Sequence, residues 1–446
     1  MAPRPRRNQI IAVVLSLVSG LIFALALPPS DLNILGWIAF LPLLMATRIA
    51  RPTLAGLCGL LAALTTVGAL TYPLNTPAQC ANVFFLFSGI GFALGITAAI
   101  ASFTSKKISP GMWALFVPCA AVLVELLSKS ILPFNAAISQ HQNAGMLHFA
   151  SFTGIWGVSF LLWFIPALVI AMFRRSKSAC FAFGITLAVL ISTTIPFPHS
   201  QDKTISAAAI QAVDGMSAAE ETEKITGKAE IAVWPELLLD ERDSDPFESA
   251  KMNHIYIVSS YMEQAKDGKP YNAARLISPD GKTVGSIKKR HLFGREVFDF
   301  QKGGWSRIMT ADSVKVGIEI CYDTMFTDVT RHLARAGAEV VFVPNGDPET
   351  PHFLLNRLHS AATAFRAAEN GVPIILADGD SLSAIFDSNG RVITQAPTRK
   401  TTWISEKVHL RQGRTIFTVG GDYFAYLCGG LALILFIASL RSKKRK

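Results

Sequence analysis

Long apolar runs dominate this sequence and set the strongest limit on what it can fold into. They lie near residues 9–27, 33–48, 54–75, 83–103, 111–131, 151–173, 179–197 and 422–440. Most approach the roughly 20 residues that a helix needs to cross about 30 Å of hydrocarbon, and the second run is the shortest. Charged residues make up 17% of the chain, against roughly 25% in soluble proteins. The sequence therefore predicts a multi-span α-helical membrane protein with about eight transmembrane helices.

Basic residues in the connecting loops indicate how the spans are oriented. Lys or Arg occurs before the first span and after the second, fourth, sixth and eighth, in MAPRPRR, TRIARPT, SKKIS, FRRSKS and RSKKRK. The opposite loops PPSDLN and NTPAQCAN have none, and the loop after the fifth span has only Lys129. Because basic residues concentrate in cytoplasmic loops, we expect both termini in the cytoplasm and residues 198–420 on the other side. The net charge of +10 is interpreted as this asymmetry. Nucleic-acid binding is not expected, since no basic stretch is interleaved with aromatic residues.

Residues 198–420 differ from the rest of the chain and predict a separate domain. They contain the short strand-like runs ISAAAIQA, EIAVWPE, IYIVSSY, ARLISP, VKVGIEIC, VVFVPNG, PIILAD and LSAIFD. A helix-like stretch, HFLLNRLHSAATAFRAAEN, is followed by Gly371 and Pro373, which are typical of a helix end. Strands alternating with helices predict a layered α/β domain. The expected organisation is a membrane domain over 1–197, an inserted extracytoplasmic α/β domain over 198–420, and a last span with a basic cytoplasmic tail over 421–446.

Three strand-like ends in this domain, two of them among these runs, each carry one reactive side chain. These side chains are Glu236 in VWPE, Lys289 in SIKKRHLFGRE and Cys321 in GIEICYD. This trio suits acyl transfer from an amide or ester through a thioester. A thiol is largely protonated at neutral pH, so a carboxylate must take its proton. An ammonium group, helped by the backbone N–H of Tyr322 just after the thiol, would stabilise the thiolate and the oxyanion.

The carboxylate must have a raised pKa to act as a base near neutral pH. The neighbouring Trp234 and Pro235 are expected to supply the apolar packing that raises the pKa of Glu236. The six cysteines are scattered without any C-x-x-C pair, so neither a disulfide framework nor a zinc site is expected. No metal or organic cofactor is implied.

The motifs VWPE, K-x-H-L-F and ICYD, in this order, resemble those of the nitrilase (carbon–nitrogen hydrolase) superfamily. A domain of this kind inserted before a last span resembles one branch, the bacterial apolipoprotein N-acyltransferases. GLIFALALPPSDLNILGWIAFLPLL, GIWGVSFLLWF and GRTIFTVGGDYFAYL are also similar to stretches of that family. The resemblance implies an αββα sandwich for residues 198–420. It also implies Glu236 as general base, Lys289 as oxyanion-stabilising cation and Cys321 as nucleophile.

Several residues are less directly matched. The family has a second glutamate shortly after the lysine, and Glu296 is its counterpart here although the spacing differs by one residue. After the cysteine the chain departs from the family pattern across 345–383, which puts the acceptor in doubt. Asp347, His352 and His359 fall in this region, and no metal-ligand spacing joins them. Within the spans, Glu125 is a costly carboxylate with Lys129 as a nearby partner, and a packing role is favoured over substrate binding.

The resemblance implies a function at the bacterial inner membrane, with the catalytic domain on the periplasmic side. An acyl chain would pass from a phospholipid to Cys321 and then to the α-amino group of the lipidated N-terminal Cys of an apolipoprotein. The expected partners are therefore a phospholipid donor, a diacylglyceryl-modified apolipoprotein acceptor and membrane lipid. Two alternatives remain: a divergent membrane-tethered amidase or acyltransferase with another acceptor, such as the conjugal-transfer-associated proteins, and a non-enzymatic envelope protein.

Overall fold

The computed structural model describes residues 4–72, 77–129, 133–192, 203–237, 245–266, 268–348, 350–411 and 413–441. The predicted junction at residue 197 and the basic tail 442–446 lie outside these ranges. The chain divides into two compact units. The first unit comprises Met1–Pro196, Glu349–Leu354 and Asp422–Lys446, and the second comprises Phe197–Pro348 and Leu355–Gly421.

The first unit is helical. Its helices are α1 (Arg4–Ala26), α2 (Leu41–Ile49), α3 (Pro52–Thr71), α4 (Pro77–Thr104), α5 (Pro110–Ser128), α6 (Ala144–Thr153), α7 (Ile155–Phe173), α8 (Lys177–Ser192) and the last helix of the chain, Tyr423–Arg441. Single 3-10 turns occur at Asn33–Trp37 and Ala136–Gln140, and a third, Pro351–Phe353, lies in the Glu349–Leu354 segment of this unit. Five helices of the described chain are long and apolar enough to cross a membrane: Arg7–Ala26, Pro52–Thr71, Pro110–Ser128, Ile155–Phe173 and Tyr423–Arg441.

Three shorter apolar segments coincide with the second, fourth and seventh predicted spans. They are Asn33–Ile49, Ser88–Thr104 and Lys177–Leu187. The second predicted span is not one straight helix, because a 3-10 turn precedes α2 and Pro42 lies in the first turn of α2. A proline fits the first turn of a helix but cannot continue one, so the chain starts a new helix there. Nine residues of α2 span only about 14 Å. The predicted count of about eight transmembrane helices is therefore not confirmed.

Glu125 has a structural explanation inside this unit. Its carboxylate accepts hydrogen bonds from Asn135 Nδ2 at 3.1 Å and from the Ala136 backbone N–H at 3.2 Å. The suggested partner Lys129 instead pairs with Asp422 at 3.7 Å. A buried carboxylate needs such donors, so Glu125 ties α5 to the segment before the turn at Ala136–Gln140. The packing role is the one that these contacts support.

The second unit contains two six-stranded sheets. Its strands are β1 (Thr204–Gln211), β2 (Ile231–Val233), β3 (Tyr256–Glu263), β4 (Tyr271–Ile277), β5 (Thr283–Lys288), β6 (Met309–Ala311), β7 (Val314–Ile318), β8 (Val340–Pro344), β9 (Ile374–Ala377), β10 (Ala384–Phe386), β11 (Val392–Gln395) and β12 (Thr402–His409). The strand orders are β12-β1-β2-β3-β4-β5 and β11-β10-β9-β8-β7-β6. Parallel pairs occupy the centre of each sheet, β1–β2–β3 in one and β7–β8–β9 in the other.

Helices accompany both sheets. They are α9 (Gly215–Lys224), α10 (Pro246–Asn253), α11 (Glu296–Asp299), α12 (Val329–Ala336), α13 (Leu354–Asn370) and α14 (Ile416–Gly420), and the final helix Tyr423–Arg441 is α15. One apolar cluster contains residues of both sheets, including Val233 and Val258 of the first and Val316 and Phe342 of the second. Another joins the first sheet to α9 and α10 through Trp234. The predicted layered α/β domain is confirmed, with sheet facing sheet and helices outside.

Local signals in the sequence account for several of these elements. All eight strand-like runs contain a strand, and the helix-like stretch forms α13. Gly371 follows α13 with φ of +61°, the left-handed conformation that glycine adopts without a steric penalty. The pattern predicts only the end of β5, at Lys289, and does not predict β6, β11 and β12. β11 is largely exposed at the edge of its sheet, so it lacks the apolar alternation that marks a half-buried strand.

Candidate active site

Cys321 lies at the corner between β7 and a 3-10 turn, Cys321–Met325. The residue has a φ of +45° and its side chain is buried. A non-glycine residue persists in this left-handed region only when its surroundings hold it there, because the conformation costs about 1–3 kcal/mol. Thr324 Oγ1 donates a hydrogen bond to the Cys321 carbonyl at 3.2 Å. The backbone N–H of Gly346 donates to the sulfur.

Lys289 lies just after β5 and joins two carboxylates. Its Nζ is 2.8 Å from Glu236 Oε1 and 2.9 Å from Glu296 Oε2, while its own side chain is 1% exposed. Asn272 Nδ2 donates to the same two carboxylates at 2.7 and 2.9 Å. Burial alone would lower the pKa of Lys289, but the charges of Cys321, Glu236 and Glu296 raise it. The ammonium is therefore a fixed positive charge in the site.

Glu236 is held against the loop that follows β8. Its backbone N–H donates to the Asn345 carbonyl at 3.1 Å. A Cβ added at Gly346 would lie 3.3 Å from Glu236 Oε2, so a side chain there would push the carboxylate by a few tenths of an ångström. The same loop contacts both Glu236 and the sulfur of Cys321. The predicted packing residue Trp234 points into the sheet–helix layer, where its indole N–H donates to Thr222 Oγ1 at 3.0 Å.

Glu296 reaches the same centre despite its altered spacing. It begins the short helix α11, and the backbone N–H of Phe293 donates to its Oε2 at 2.8 Å. This contact folds the loop back so that the carboxylate meets Lys289. The structure thus brings Glu236, Lys289 and Glu296 into direct contact, and Lys289 and Glu236 both act electrostatically on Cys321.

The surroundings of Cys321 disfavour the thiolate form. Burial raises its pKa, the negative charge of Glu236 raises it further, and Lys289 opposes both. A buried neutral thiol needs a base to become a nucleophile. Tyr322, whose backbone N–H is predicted to stabilise the oxyanion, is the next residue of the turn. Its ring packs edge-on against Phe293 and Phe326.

Asp323 links the lysine segment to the cysteine turn, a connection that the sequence did not suggest. Its buried carboxylate accepts the backbone N–H of His291 at 2.7 Å and those of Arg290 and Ile320 at 3.3 Å. Burial raises the pKa of Asp323 to about 6, while these hydrogen bonds oppose the shift. One side chain therefore fixes the exit of β5 relative to Cys321.

The altered region after the cysteine supplies two further residues. Cys321, Asp347 and His359 have potential ligand atoms within 4.8 Å of one another, among the residues that the structure describes. His359 bonds to Asp347 through Nδ1 at 2.9 Å and to the Cys321 carbonyl through Nε2 at 3.0 Å. Both acceptors lack a proton, so both ring nitrogens donate and neither offers a lone pair to a metal. His352, by contrast, is exposed in the first unit and bonds to the Tyr72 carbonyl.

Comparisons with known proteins agree with these observations. Residues 212–415 match the carbon-nitrogen hydrolase family, and residues 19–168 match the apolipoprotein N-acyltransferase N-terminal domain. An apolipoprotein N-acyltransferase of Geobacter metallireducens is 24% identical over 98% of this chain and 96% of its own length. The enzyme of the same name from Thermotoga maritima is 22% identical over 99% and 96%.

Another relative matches a smaller share of the chain. An (R)-stereoselective amidase of a Pseudomonas species is 31% identical over 38% of this chain and 64% of its own length. The full-length relatives, by contrast, cover both the helical unit and the α/β unit. Two family models adjacent along one chain, together with these full-length relatives, identify the family. This chain belongs to the apolipoprotein N-acyltransferases, the membrane-embedded branch of the carbon–nitrogen hydrolase superfamily.

Proposed function

We propose that this chain transfers an acyl group from a phospholipid to the α-amino group of the lipidated N-terminal cysteine of an apolipoprotein. The observation that carries the proposal is the buried Lys289, which is bonded to Glu236 and Glu296 and acts on the thiol of Cys321. The names of the full-length relatives support the same reaction.

The first half-reaction acylates the cysteine. Glu236 takes the proton of Cys321 Sγ, and the thiolate attacks the ester carbonyl of the phospholipid. Lys289 and the Tyr322 backbone N–H stabilise the oxyanion of the tetrahedral intermediate. A C–S bond forms, the C–O bond breaks, and the leaving lysophospholipid alcohol receives the proton from Glu236. The product is a thioester on Cys321.

The second half-reaction uses the same groups to transfer the acyl chain from Cys321 to the acceptor. The neutral acceptor amine attacks the thioester carbonyl, forming a C–N bond and breaking the C–S bond. Glu236 takes one amine proton and returns it to the thiolate, which restores the thiol. Glu296 and Asn272 hold Lys289 and Glu236 in place through both steps, since Glu296 pairs with Lys289 and Asn272 donates to both Glu236 and Glu296.

The membrane context follows from the substrates. Both carry acyl chains, and holding them at a bilayer replaces free diffusion with orientation. We place about eight membrane-crossing segments in the chain, with the second interrupted, because broken helices are tolerated where protein surrounds them. The basic loops orient both termini to the cytoplasm of a bacterial inner membrane, with the catalytic domain over about 198–420 on the periplasmic side.

The test follows the acyl group. Full-length protein in detergent is given a phospholipid with one isotopically labelled acyl chain, then a diacylated peptide with a free N-terminal Cys amine. The label should move to the peptide amine, and Cys321→Ala should abolish this transfer. Cys180→Ala is the matched control, because Cys180 is an exposed free cysteine.

Other outcomes point to other functions. Acylation of the protein without transfer would refute the lipoprotein acceptor while leaving the thioester chemistry intact. Hydrolysis of small amides without any labelling by phospholipid would favour an amidase, the activity named for the Pseudomonas relative.

A further inference from the structure

A buried histidine lies directly beneath the nucleophile. His359 is in the second turn of α13 and its side chain is 3% exposed. Its Nδ1 is 2.9 and 3.0 Å from the two carboxylate oxygens of Asp347, and its Nε2 is 3.0 Å from the carbonyl oxygen of Cys321. The ring thus bridges the loop after β8 and the backbone of the cysteine itself.

The hydrogen bonds determine the charge of this ring. A carboxylate and a carbonyl can only accept, so both ring nitrogens must carry a proton. Thr324 Oγ1 also contacts Nε2 and donates a hydrogen bond to the Cys321 carbonyl. His359 is therefore an imidazolium paired with an ionised Asp347. Burial would lower the pKa of His359 and raise that of Asp347, but their mutual attraction reverses both shifts.

The negative charge of Asp347 disfavours ionisation of the Cys321 thiol. Asp347 raises the pKa of Cys321, as Glu236 does, whereas Lys289 lowers it. The charged or titratable groups that face Cys321 or His359 from the surrounding elements are Glu236, Lys289, Tyr322, Asp347 and Asp378. Among them Lys289 already serves two carboxylates, Glu236 and Glu296. The positive charge nearest to Asp347 is His359.

We propose that Asp347 and His359 form a positioning pair in which the histidine holds the carbonyl of Cys321 and cancels the charge of the carboxylate beside the sulfur. The held carbonyl helps to keep Cys321 in its left-handed conformation, which directs the sulfur toward the loop at Gly346. The inference rests on the proposed function only in taking Cys321 as the nucleophile. Neither residue takes part in bond making.

The proposal predicts opposite effects on the ionisation of Cys321 when the two residues are replaced one at a time. Removing the histidine charge leaves Asp347 uncompensated beside the sulfur, so thiolate formation becomes harder. Removing the carboxylate charge takes away a group that opposes ionisation, so thiolate formation becomes easier. Simple loss of packing would not separate the two in this way, because either substitution would then disturb the site in the same direction.

The experiment measures the pH dependence of Cys321 alkylation by iodoacetamide in the full-length protein, with the Cys321 peptide quantified by mass spectrometry. Relative to the parent, His359→Gln should raise the midpoint by about 1 pH unit or more, and Asp347→Asn should lower it. The double variant should return to within about half a unit of the parent. His332→Gln is the control, since His332 bonds to the Ser306 carbonyl and stacks on Trp305 instead.

Steady-state rates give a second readout. His359→Gln should lower kcat for acyl transfer while leaving the KM of the acceptor peptide unchanged. An unchanged midpoint in His359→Gln, or shifts of the same sign in both single variants, would overturn the proposal. If His359→Gln does not fold, an unchanged or raised midpoint in Asp347→Asn is sufficient to overturn it. A failure of the proposed function would be seen separately. Acyl transfer that survives Cys321→Ala would refute Cys321 as the nucleophile, and it would leave the alkylation midpoints of the other variants unchanged.

Discussion

Replacing Lys289 by Met should be the most damaging single change near the site that leaves the sulfur intact. The side chain is 1% exposed, and its Nζ lies 2.8 Å from Glu236 and 2.9 Å from Glu296. Methionine fills a similar volume but carries no charge. Two largely buried carboxylates would then face each other with only Asn272 as a shared donor.

The magnitude follows from these distances. At an effective dielectric of about 20, each ion pair is worth roughly 6 kcal/mol of Coulomb attraction before desolvation is counted. Removing one partner of a buried pair leaves the other charge unpaired and costs about 3–5 kcal/mol in measured cases. We therefore expect Lys289→Met to lower the free energy of unfolding by about 3–5 kcal/mol and to abolish acylation of Cys321.

The neighbouring lysine provides the matched control. Lys288 Nζ is 2.9 Å from Glu263, but the two side chains are 36% and 32% exposed. Exposed pairs contribute about 0–1 kcal/mol, so Lys288→Met should have a small effect on denaturant unfolding and none on acylation. Lys289→Met combined with Glu296→Gln should recover part of the stability and none of the acylation. Equal losses in Lys288→Met and Lys289→Met would refute the reasoning.

Two further predictions concern buried carboxylates near the nucleophile. Burial raises the pKa of Glu319 to about 8 from 4.5, against hydrogen bonds from Thr330. Because the pKa of Glu319 is higher in the folded protein than in the unfolded chain, stability falls as the pH rises from about 5 to 8. In denaturant titrations, the unfolding free energy of the parent, compared with that of Glu319→Gln, should drop by about 1.4 kcal/mol per pH unit over this range. A difference that is independent of pH would contradict this. Asp323→Ala should speed hydrogen exchange of the Arg290 and His291 amides, which lose their acceptor; unchanged exchange there would rule out the proposed link.

In the sequence, Glu236, Lys289 and Cys321 each lie at the end of a strand-like run, and this order predicts that the three act together. The sequence could not predict that β2 and β5 lie in one sheet while β7, before Cys321, lies in the other. Facing sheets depend on contacts between residues far apart in the chain, which local patterns do not encode. The meeting of the three side chains at one site can therefore be inferred only from the fold or from the family resemblance. Their catalytic roles remain predictions.

Asp347 and His359 show where pattern recognition failed. They are separated by a turn and the first part of α13 and lack the spacing of a metal site, so the sequence pattern predicts no catalytic role for them. One signal was present: the helix stretch LHSAATAF surrounds His359 with small and apolar residues, which predicts burial of a group that then needs a partner. The break in the second predicted span has a different cause: apolar composition alone does not reveal that the proline in its middle begins a new helix.

The central claim is that Cys321 forms a thioester with an acyl chain taken from a phospholipid. The most direct measurement is the intact mass of the purified full-length protein after incubation with a phospholipid of defined acyl chains and no acceptor, followed by peptide mapping. The account predicts a gain of one acyl group on Cys321, released by neutral hydroxylamine, retained in Cys180→Ala and absent in Cys321→Ala. An acyl group that persists in Cys321→Ala, or that maps to another residue, would contradict the account.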